Sequence, residues 1–276
     1  VRRLIDTDPI GRVPVDKLQP RHVKEWLDRL RARNATPVKR GPNCKVETKA
    51  KPRKLSASSI DRNMTVLRAV LNLAHRDGYV LTGAAWTRQL EPLPKSQTSR
   101  RRDAYLDPSQ RAALLNALPT DLREFARALC RLPLRPGALS KAAVKHFNAK
   151  DRTLRIDADK GHDPRYVPLP DAVVELFKAH AKDALPLAPL FRRQNGTPWN
   201  KDAWKGPILD AVATAKLPKG TTMYALRHST INDLVTGGLD LFTIAKISGT
   251  SIAMIEQHYG HLQADHARSA LEKLAL

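Results

Sequence analysis

Between Tyr224 and Leu262 the apolar residues recur at helical spacing three times, and each run carries its own start or stop signal. Leu226, Ile231, Leu234 and Val235 make the first stripe, closed by Gly237-Gly238. Asp240 caps a second run with Leu241, Ile244, Ala245 and Ile247, and Gly249 follows it. Ser251 caps a third, with Ile252, Ile255 and Tyr259. Arg227-His228 stands near the start of this stretch and His258-Tyr259-Gly260-His261 near its end. A phenol between imidazoles and a cation has the makings of a nucleophile for a phosphodiester. A free tyrosine is ionised in only about one molecule in a thousand at neutral pH. It therefore needs a proton acceptor and nearby positive charge before it can attack.

The chain's charge points to the same kind of substrate. Its 276 residues carry a net charge of +21. An excess of that size draws polyanions, nucleic acid first. Residues 1–100 hold 22 lysines and arginines against 9 acids, so the first third carries +13 of the total. No long apolar span or basic amphipathic anchor stands out, which argues against a membrane partner. No signal peptide opens the sequence, and it begins on Val1 as a fragment or processed form does. Cys44 and Cys130 lack metal-ligand spacing and read as unpaired thiols of a reducing cytoplasm. His258, His261 and His266 have no Cys, Asp or Glu beside them to complete a zinc site. No metal and no cofactor is expected.

Taken in order, residues 1–18 give no firm element, although Val13-Pro14-Val15 suits extended chain. Pro20 opens a helix that buries Val23, Trp26, Leu27 and Leu30. From Asn34 to Lys54 prolines, Gly41 and a crowd of cations break the pattern. This stretch reads as a basic loop, with Lys39, Arg40, Lys45, Lys51, Arg53 and Lys54 as candidates for DNA phosphates. Ser58 or Ser59 then caps a helix with Ile60, Met64, Leu67, Val70, Leu71 and Ala74 on one stripe, ended by Gly78. A short third helix is expected near Trp86. Residues 1–95 thus form a helical DNA-binding domain. Residues 96–103 form a basic linker whose Arg100, Arg101 and Arg102 can follow a nucleic-acid backbone.

Residues 104–276 form a second domain. Asp107-Pro108 starts a helix with Ala112, Leu114, Leu115 and Leu118, and Leu122, Phe125, Ala126 and Leu129 mark the next. Leu134-Arg135-Pro136-Gly137 is a turn whose arginine either snorkels at a helix end or aims at a phosphate. Thr153–Ile156 and Tyr166–Leu169 read as two strands of a hairpin with Lys160 near its tip. Asp171 caps a helix with Val173, Val174, Leu176 and Phe177; Asn200 caps one through Trp204, Ile208, Leu209 and Val212. A last short helix, 264–274, has one apolar side that docks either on its own domain or on a neighbouring subunit. The fold class is mainly α with a small β-sheet (α+β).

Four of these segments, in this order, resemble the tyrosine recombinase, or phage integrase, family. Leu134-Arg135-Pro136-Gly137-Ala138-Leu139 looks like the family's first arginine box. Lys160, eight residues before Pro168-Leu169, looks like its hairpin lysine. Tyr224-Ala-Leu-Arg227-His228 looks like the second arginine box, and Gly249-Thr250-Ser251 through His258-Tyr259-Gly260-His261 like the last. The chain departs from the usual pattern at three places. Tyr224 stands where His is usual, Thr250 where His or Trp is usual, and Ala138 where an acid commonly follows the first arginine. The variants at 224 and 250 resemble those of an active phage-integrase subgroup.

The resemblance implies a helical core-binding domain joined to a catalytic domain, closing on duplex DNA as a clamp. It implies Tyr259 as nucleophile, Arg135 and Arg227 as clamps on the scissile phosphate, and Lys160 as general acid. His228, or a histidine beside the nucleophile, would accept the phenol proton, with Tyr224 and Thr250 at the two variant places. It implies a homo-tetramer on DNA, accessory DNA-bending proteins, and a bacterial or phage-encoded enzyme of the cytoplasm working at the nucleoid. Three rivals share some of these features: a DNA-binding protein that has lost its chemistry, a type IB topoisomerase-like relaxing enzyme, and a basic RNA-binding module.

Overall fold

The computed structural model describes residues 5–35, 38–40, 46–49, 53–98, 105–159, 163–263, 268 and 271–272. The chain divides into two compact units, 1–102 and 103–276. Among the described residues no helix is long and apolar enough to cross a membrane.

The first unit is built on two helices. Helix α1, Pro20–Ala32, has Gln19 and His22 closing a capping box, and its stripe of Val23, Trp26, Leu27 and Leu30 is buried. Helix α2, Ala57–Arg76, faces it with Met64, Leu67 and Leu71. Its cap is Ser56, whose hydroxyl accepts from the Ser59 amide, two or three residues earlier than the sequence suggests. Val70 lies on the solvent side, 55% exposed, because a 20-residue helix packed on one face leaves part of its apolar pattern outside. Gly78 stops the helix at φ +81°, as expected. The third helix expected near Trp86 is a run of turns. Trp86 is nonetheless buried at 1% exposure, with its indole N–H donating to Asn72 at 2.8 Å. Two short 3-10 turns, Pro9–Arg12 and Val15–Lys17, precede α1 where no firm element was expected.

The basic stretch 34–54 is not simply a loop. Strands β1 (Asn34–Ala35) and β2 (Val38–Arg40) run antiparallel to β3 (Val46–Lys49) and β4 (Arg53–Lys54). They make two separate two-stranded ribbons, β1 with β4 (Asn34 opposite Lys54) and β2 with β3 (Val38 opposite Lys49). Such a ribbon needs backbone pairing more than a core-facing stripe, so an apolar-periodicity argument passes over it. Helix α3, Lys95–Thr98, falls where the linker was expected to begin; residues 99–103 lie outside the described residues.

The second unit wraps helices around Phe125, Phe177, Phe191 and Trp204. Helices α4 (Pro108–Ala117) and α5 (Thr120–Leu129) come first, α4 closed by a capping box between Asp107 and Gln110. The short helix α6, Pro136–Leu139, leaves the turn that holds Arg135. A three-stranded antiparallel sheet follows: β5 (Phe147–Asn148), β6 (Thr153–Ile156) and β7 (Arg165–Pro168), with β6 in the middle. The two-residue β5 is too short to carry an alternation signal. Helix α7, Asp171–Ala181, begins one residue earlier than expected, with Pro170 at the cap position. Helix α8, Lys201–Thr214, is capped by Asn200, which accepts from two amides; its Leu209 is 53% exposed rather than core.

Three more helices follow among the described residues. They are α9 (Met223–Thr236), α10 (Leu241–Ser248) and α11 (Ile252–Tyr259), capped as expected by Asp240 and Ser251 in the latter two. They share a small core of Ile231, Val235, Ile244, Ala245 and Ile255. The helix expected over 264–274 falls almost wholly outside the described residues.

Candidate active site

Helix α9 organises the site, and two hydroxyls fix its place. Ser229 accepts from the Leu106 amide at 2.8 Å, and Thr230 donates to the Leu129 carbonyl at 2.9 Å. Successive residues of a helix point about 100° apart, so Arg227 and His228 serve different neighbours. Arg227 turns inward and is 3% exposed. Its Nη1 donates to the carbonyls of Pro133, at 2.6 Å, and Ser248, at 2.8 Å, and its guanidinium lies 5.8 Å over the Tyr224 ring. Hydrogen bonds to a charged group contribute about 1.5–3 kcal/mol each. The two carbonyls thus offset part of the several kcal/mol that burying a cation costs. They do so without neutralising it. Burial first, then the charge of Arg135, lowers the Arg227 pKa, although arginine stays protonated in any case.

His228 turns towards α11. Its Nδ1 is in hydrogen-bond contact with the Tyr259 hydroxyl, and its ring stacks edge-on to Tyr224 with centroids 5.0 Å apart. Tyr224 and His228 are one helical turn apart, which is why they meet. Burial, with Arg227 and His258 adding to it, pushes the His228 pKa below its ordinary value. The imidazole is therefore neutral at pH 7 and able to accept a proton. Burial also pushes the Tyr259 phenol up to about 12, against the pull of Arg227. The nucleophile candidate is thus a poorer acid than a free tyrosine, and it is held against a base.

On the other side of Arg227 lie two more guanidinium groups and one carboxylate. Arg135 Nη1 donates to Asp159 Oδ1 at 2.6 Å, each side chain 13% exposed. Arg165, at the start of β7, donates from Nε to the Ile247 carbonyl at 3.2 Å and from Nη2 to the Ser248 carbonyl at 3.4 Å. Its Nη1 is 3.9 Å from Asp159 Oδ1. The Ser248 carbonyl therefore receives both Arg165 and Arg227. Gly249, next in the chain, has φ +67° and ends α10. A Cβ there would sit 2.6 Å from Arg165 Nη1, so only glycine leaves room for that guanidinium. Three guanidinium groups and one carboxylate make a net cationic cluster beside a half-buried phenol and its base. That arrangement suits an oxyanion whose neighbouring atom is to be attacked.

Residues 104–266 match the model of the phage integrase family. The chain belongs to that family, the tyrosine recombinases. A tyrosine recombinase XerD of Corynebacterium glutamicum is 29% identical over 231 residues, covering 78% of this chain and 73% of that protein. A tyrosine recombinase XerC of Rhodospirillum centenum is 30% identical over 230 residues, covering 78% of this chain and 65% of the relative. Among solved structures the fold matches the Tn1549 transposon integrase in complex with a circular intermediate DNA. The TM-score is 0.75 at 20% identity, over 99% of this chain and 90% of that one. It also matches a lambda integrase dimer bound to a core site, with TM-score 0.64 at 15% identity, over 91% and 84%.

In this tyrosine recombinase chain the structure brings Tyr259, His228, Arg227 and Tyr224 together, with Arg135 near enough to act on Arg227. Thr250 is half-buried just past Gly249. Its amide donates to the Ala245 carbonyl, and no described residue bonds its hydroxyl. Lys160 lies outside the described residues, although Asp159 before it belongs to the cluster. Of the DNA-contact candidates, Lys54 is exposed at the end of β4, and the strands of these two ribbons carry three more. These are Lys39, Arg40 and Arg53, their side chains outside the description. Lys45, Lys51, Arg100, Arg101 and Arg102 lie outside the described residues. Sequence reasoning missed Asp159 and Arg165. A carboxylate beside the hairpin lysine and an arginine four residues before Leu169 were signals in plain view, but single charges near a hairpin read as surface.

Proposed function

We propose that the chain cuts and rejoins duplex DNA through a 3′-phosphotyrosine link formed by Tyr259. As a member of its family it is a site-specific recombinase, an enzyme that breaks and rejoins DNA strands. The observation that carries the mechanism is the Tyr259–His228 contact beside a buried, carbonyl-bound Arg227, all within one chain. In the proposed step the Tyr259 oxygen bonds to phosphorus as its proton passes to His228 Nδ1. The bond from phosphorus to the 5′ oxygen breaks, and Lys160 protonates that leaving oxygen. Arg135 and Arg227 hold the nonbridging oxygens as negative charge gathers on them. Tyr224 packs His228 in place, and Thr250 offers a hydroxyl where the resemblance expects a ring. The ester energy stays in the covalent link, so rejoining needs no nucleotide.

The same reading makes residues 1–95 a core-binding domain, 96–103 a basic linker and 104–276 the catalytic domain. The lysines and arginines of the 34–54 stretch, with Arg100 to Arg102, would track DNA phosphates. Four copies would assemble on two DNA sites, aided by DNA-bending proteins, at a bacterial or phage nucleoid.

The deciding experiment uses DNA from the flanks of the gene's own locus, nicked opposite the cut so that religation fails. The expected result is a covalent protein–DNA adduct with the native chain and none with Tyr259→Phe. Binding without adduct would point instead to a DNA-binding protein whose variants at Tyr224 and Thr250 mark lost chemistry. Relaxation of unrelated plasmids would point to a topoisomerase-like enzyme.

A further inference from the structure

We propose that Asp159 is the residue that positions Arg135 for phosphate binding, a role rooted in the hairpin rather than in the helix that follows Arg135. The inference rests on the recombinase reading above. Arg135 sits at the N-terminus of a four-residue helix, with no backbone carbonyl bonded to its guanidinium among the described residues. A guanidinium on a flexible stem has about 2 kcal/mol of rotamer freedom to lose before it is a fixed donor pair. Among the described residues the strong restraint on Arg135 is the 2.6 Å bond from Nη1 to Asp159 Oδ1. That bond uses one nitrogen of the fork and leaves Nη2 and Nε to face an anion.

The neighbouring acid does not compete for this task. Asp157 is 58% exposed, and it pairs with Arg155 at 3.3 Å and His146 at 3.6 Å. The two carboxylates are separated by Ala158 alone, yet only Asp159 turns to the cluster. Asp159 also reaches Arg165 at 3.9 Å, and Arg165 is bound to the carbonyls of Ile247 and Ser248. A chain of contacts therefore runs from Arg135 through Asp159 and Arg165 to the Ser248 carbonyl, the same oxygen that fixes Arg227. Both guanidinium groups proposed to hold the phosphate are referenced to one peptide group.

Charge fits this role. Three guanidinium groups against one carboxylate leave +2 on the described residues of the cluster. A phosphodiester brings −1 in its ground state, and −2 when its phosphorus is pentavalent. Asp159 therefore leaves the cluster net positive, matched to the −2 of the pentavalent state, so its part is to orient Arg135 rather than to supply charge.

Residue 138 tests the placement. Ala138 and Asp159 line the same small cavity of about 30 Å³. Ala138 also follows Arg135 by one turn, its amide donating to the Arg135 carbonyl at 2.8 Å, so a carboxylate introduced at 138 tests whether a substitute partner can hold that guanidinium. Adduct formation on the nicked substrate would be timed for Asp159→Ala, Asp159→Asn and the double variant Asp159→Ala/Ala138→Asp, with DNA affinity measured alongside. The expected loss for Asp159→Ala is on the order of 10²-fold in rate, with affinity changed little and at least a tenfold recovery in the double variant.

A second measurement does not depend on cleavage. The Arg135 side-chain ¹⁵N signals of the DNA-free protein should show restricted rotation in the native chain and free averaging in Asp159→Ala. An equally restricted Arg135 in Asp159→Ala would overturn the proposal, as would native or faster cleavage by that variant. Asp159→Asn, nearly the same shape, serves if the alanine variant fails to fold. A native chain that forms no adduct would sink the recombinase reading, while the ¹⁵N result would still decide whether Asp159 fixes Arg135.

Discussion

His228 and Tyr259 set the pH behaviour of the proposed chemistry. With its pKa at about 12, Tyr259 is ionised in only about one molecule in 10⁵ at pH 7. Direct loss of its proton is therefore a minor route, and His228 is the proposed acceptor. His228 has its pKa lowered, so it is neutral above an inflection that lies under the ordinary 6.5. Cleavage should rise through that inflection and then stay level across neutral pH. His228→Ala should cost about 10²–10⁴-fold at pH 7. Its remaining rate should climb close to tenfold per pH unit between 7 and 9, as the tyrosinate fraction does. Single-turnover adduct formation at a series of pH values checks both curves. A level profile in the variant would remove His228 from the proton's path.

The residues that carried the resemblance were legible because each lies in a short motif: Arg135 in Leu-Arg-Pro-Gly, Arg227 beside His228, Tyr259 between histidines. What those side chains touch was not legible. That Arg227 is satisfied by two carbonyls, and that Tyr259 meets His228, depends on segments 94 and 31 residues apart in sequence coming together. No local pattern records such a meeting. Asp159 and Arg165 escaped notice for the same reason.

Among the elements, the end of α10 makes the sharpest demand on sequence. Gly249 adopts a left-handed backbone, which costs other residues about 1–2 kcal/mol, and its missing Cβ makes room for Arg165. Gly249→Ala should therefore lower unfolding stability in urea by at least about 1–2 kcal/mol and slow cleavage by moving Arg165. Gly260 offers the control. Its φ is −56° and an added Cβ would meet only the Glu256 side chain at 3.4 Å, so Gly260→Ala should fall within about 0.5 kcal/mol of the native chain. Equal losses at the two glycines would remove the argument for Gly249.

Element starts were most readable where a side chain does the capping. Asp107, Asn200, Asp240 and Ser251 were all identifiable, since their oxygens accept amides that nothing else would satisfy. At 171 the cap position is Pro170, which has no side-chain acceptor and left no such mark. At 57 the closely spaced Ser56, Ser58 and Ser59 hid which one acts. The 34–54 ribbons and the two-residue β5 were lost because backbone pairing writes little into side-chain order.

At the scale of the molecule, the mixture of amphipathic helices with one hairpin was enough to fix the class, mainly helical with a small antiparallel sheet. Each unit has its own core, one around Trp26 and Trp86, the other around Phe125 and Phe177. A net charge of +21 adds a prediction about affinity. If the basic residues track a DNA backbone through about 6–10 phosphate contacts, binding should weaken by roughly 10³–10⁵ between 50 and 200 mM salt. Titration of labelled duplex at several salt concentrations gives the slope. A nearly flat one would mean that this charge is spent elsewhere than on phosphates.

The contact between Tyr259 and His228 is internal to a single polypeptide. Whatever number of copies gathers on a site, each would bring its own blade already seated in its handle, with Arg227 of the same subunit beside it. On this geometry a subunit crippled at Tyr259 and mixed with healthy copies should leave its own strand uncut, which cleavage by mixed subunits checks.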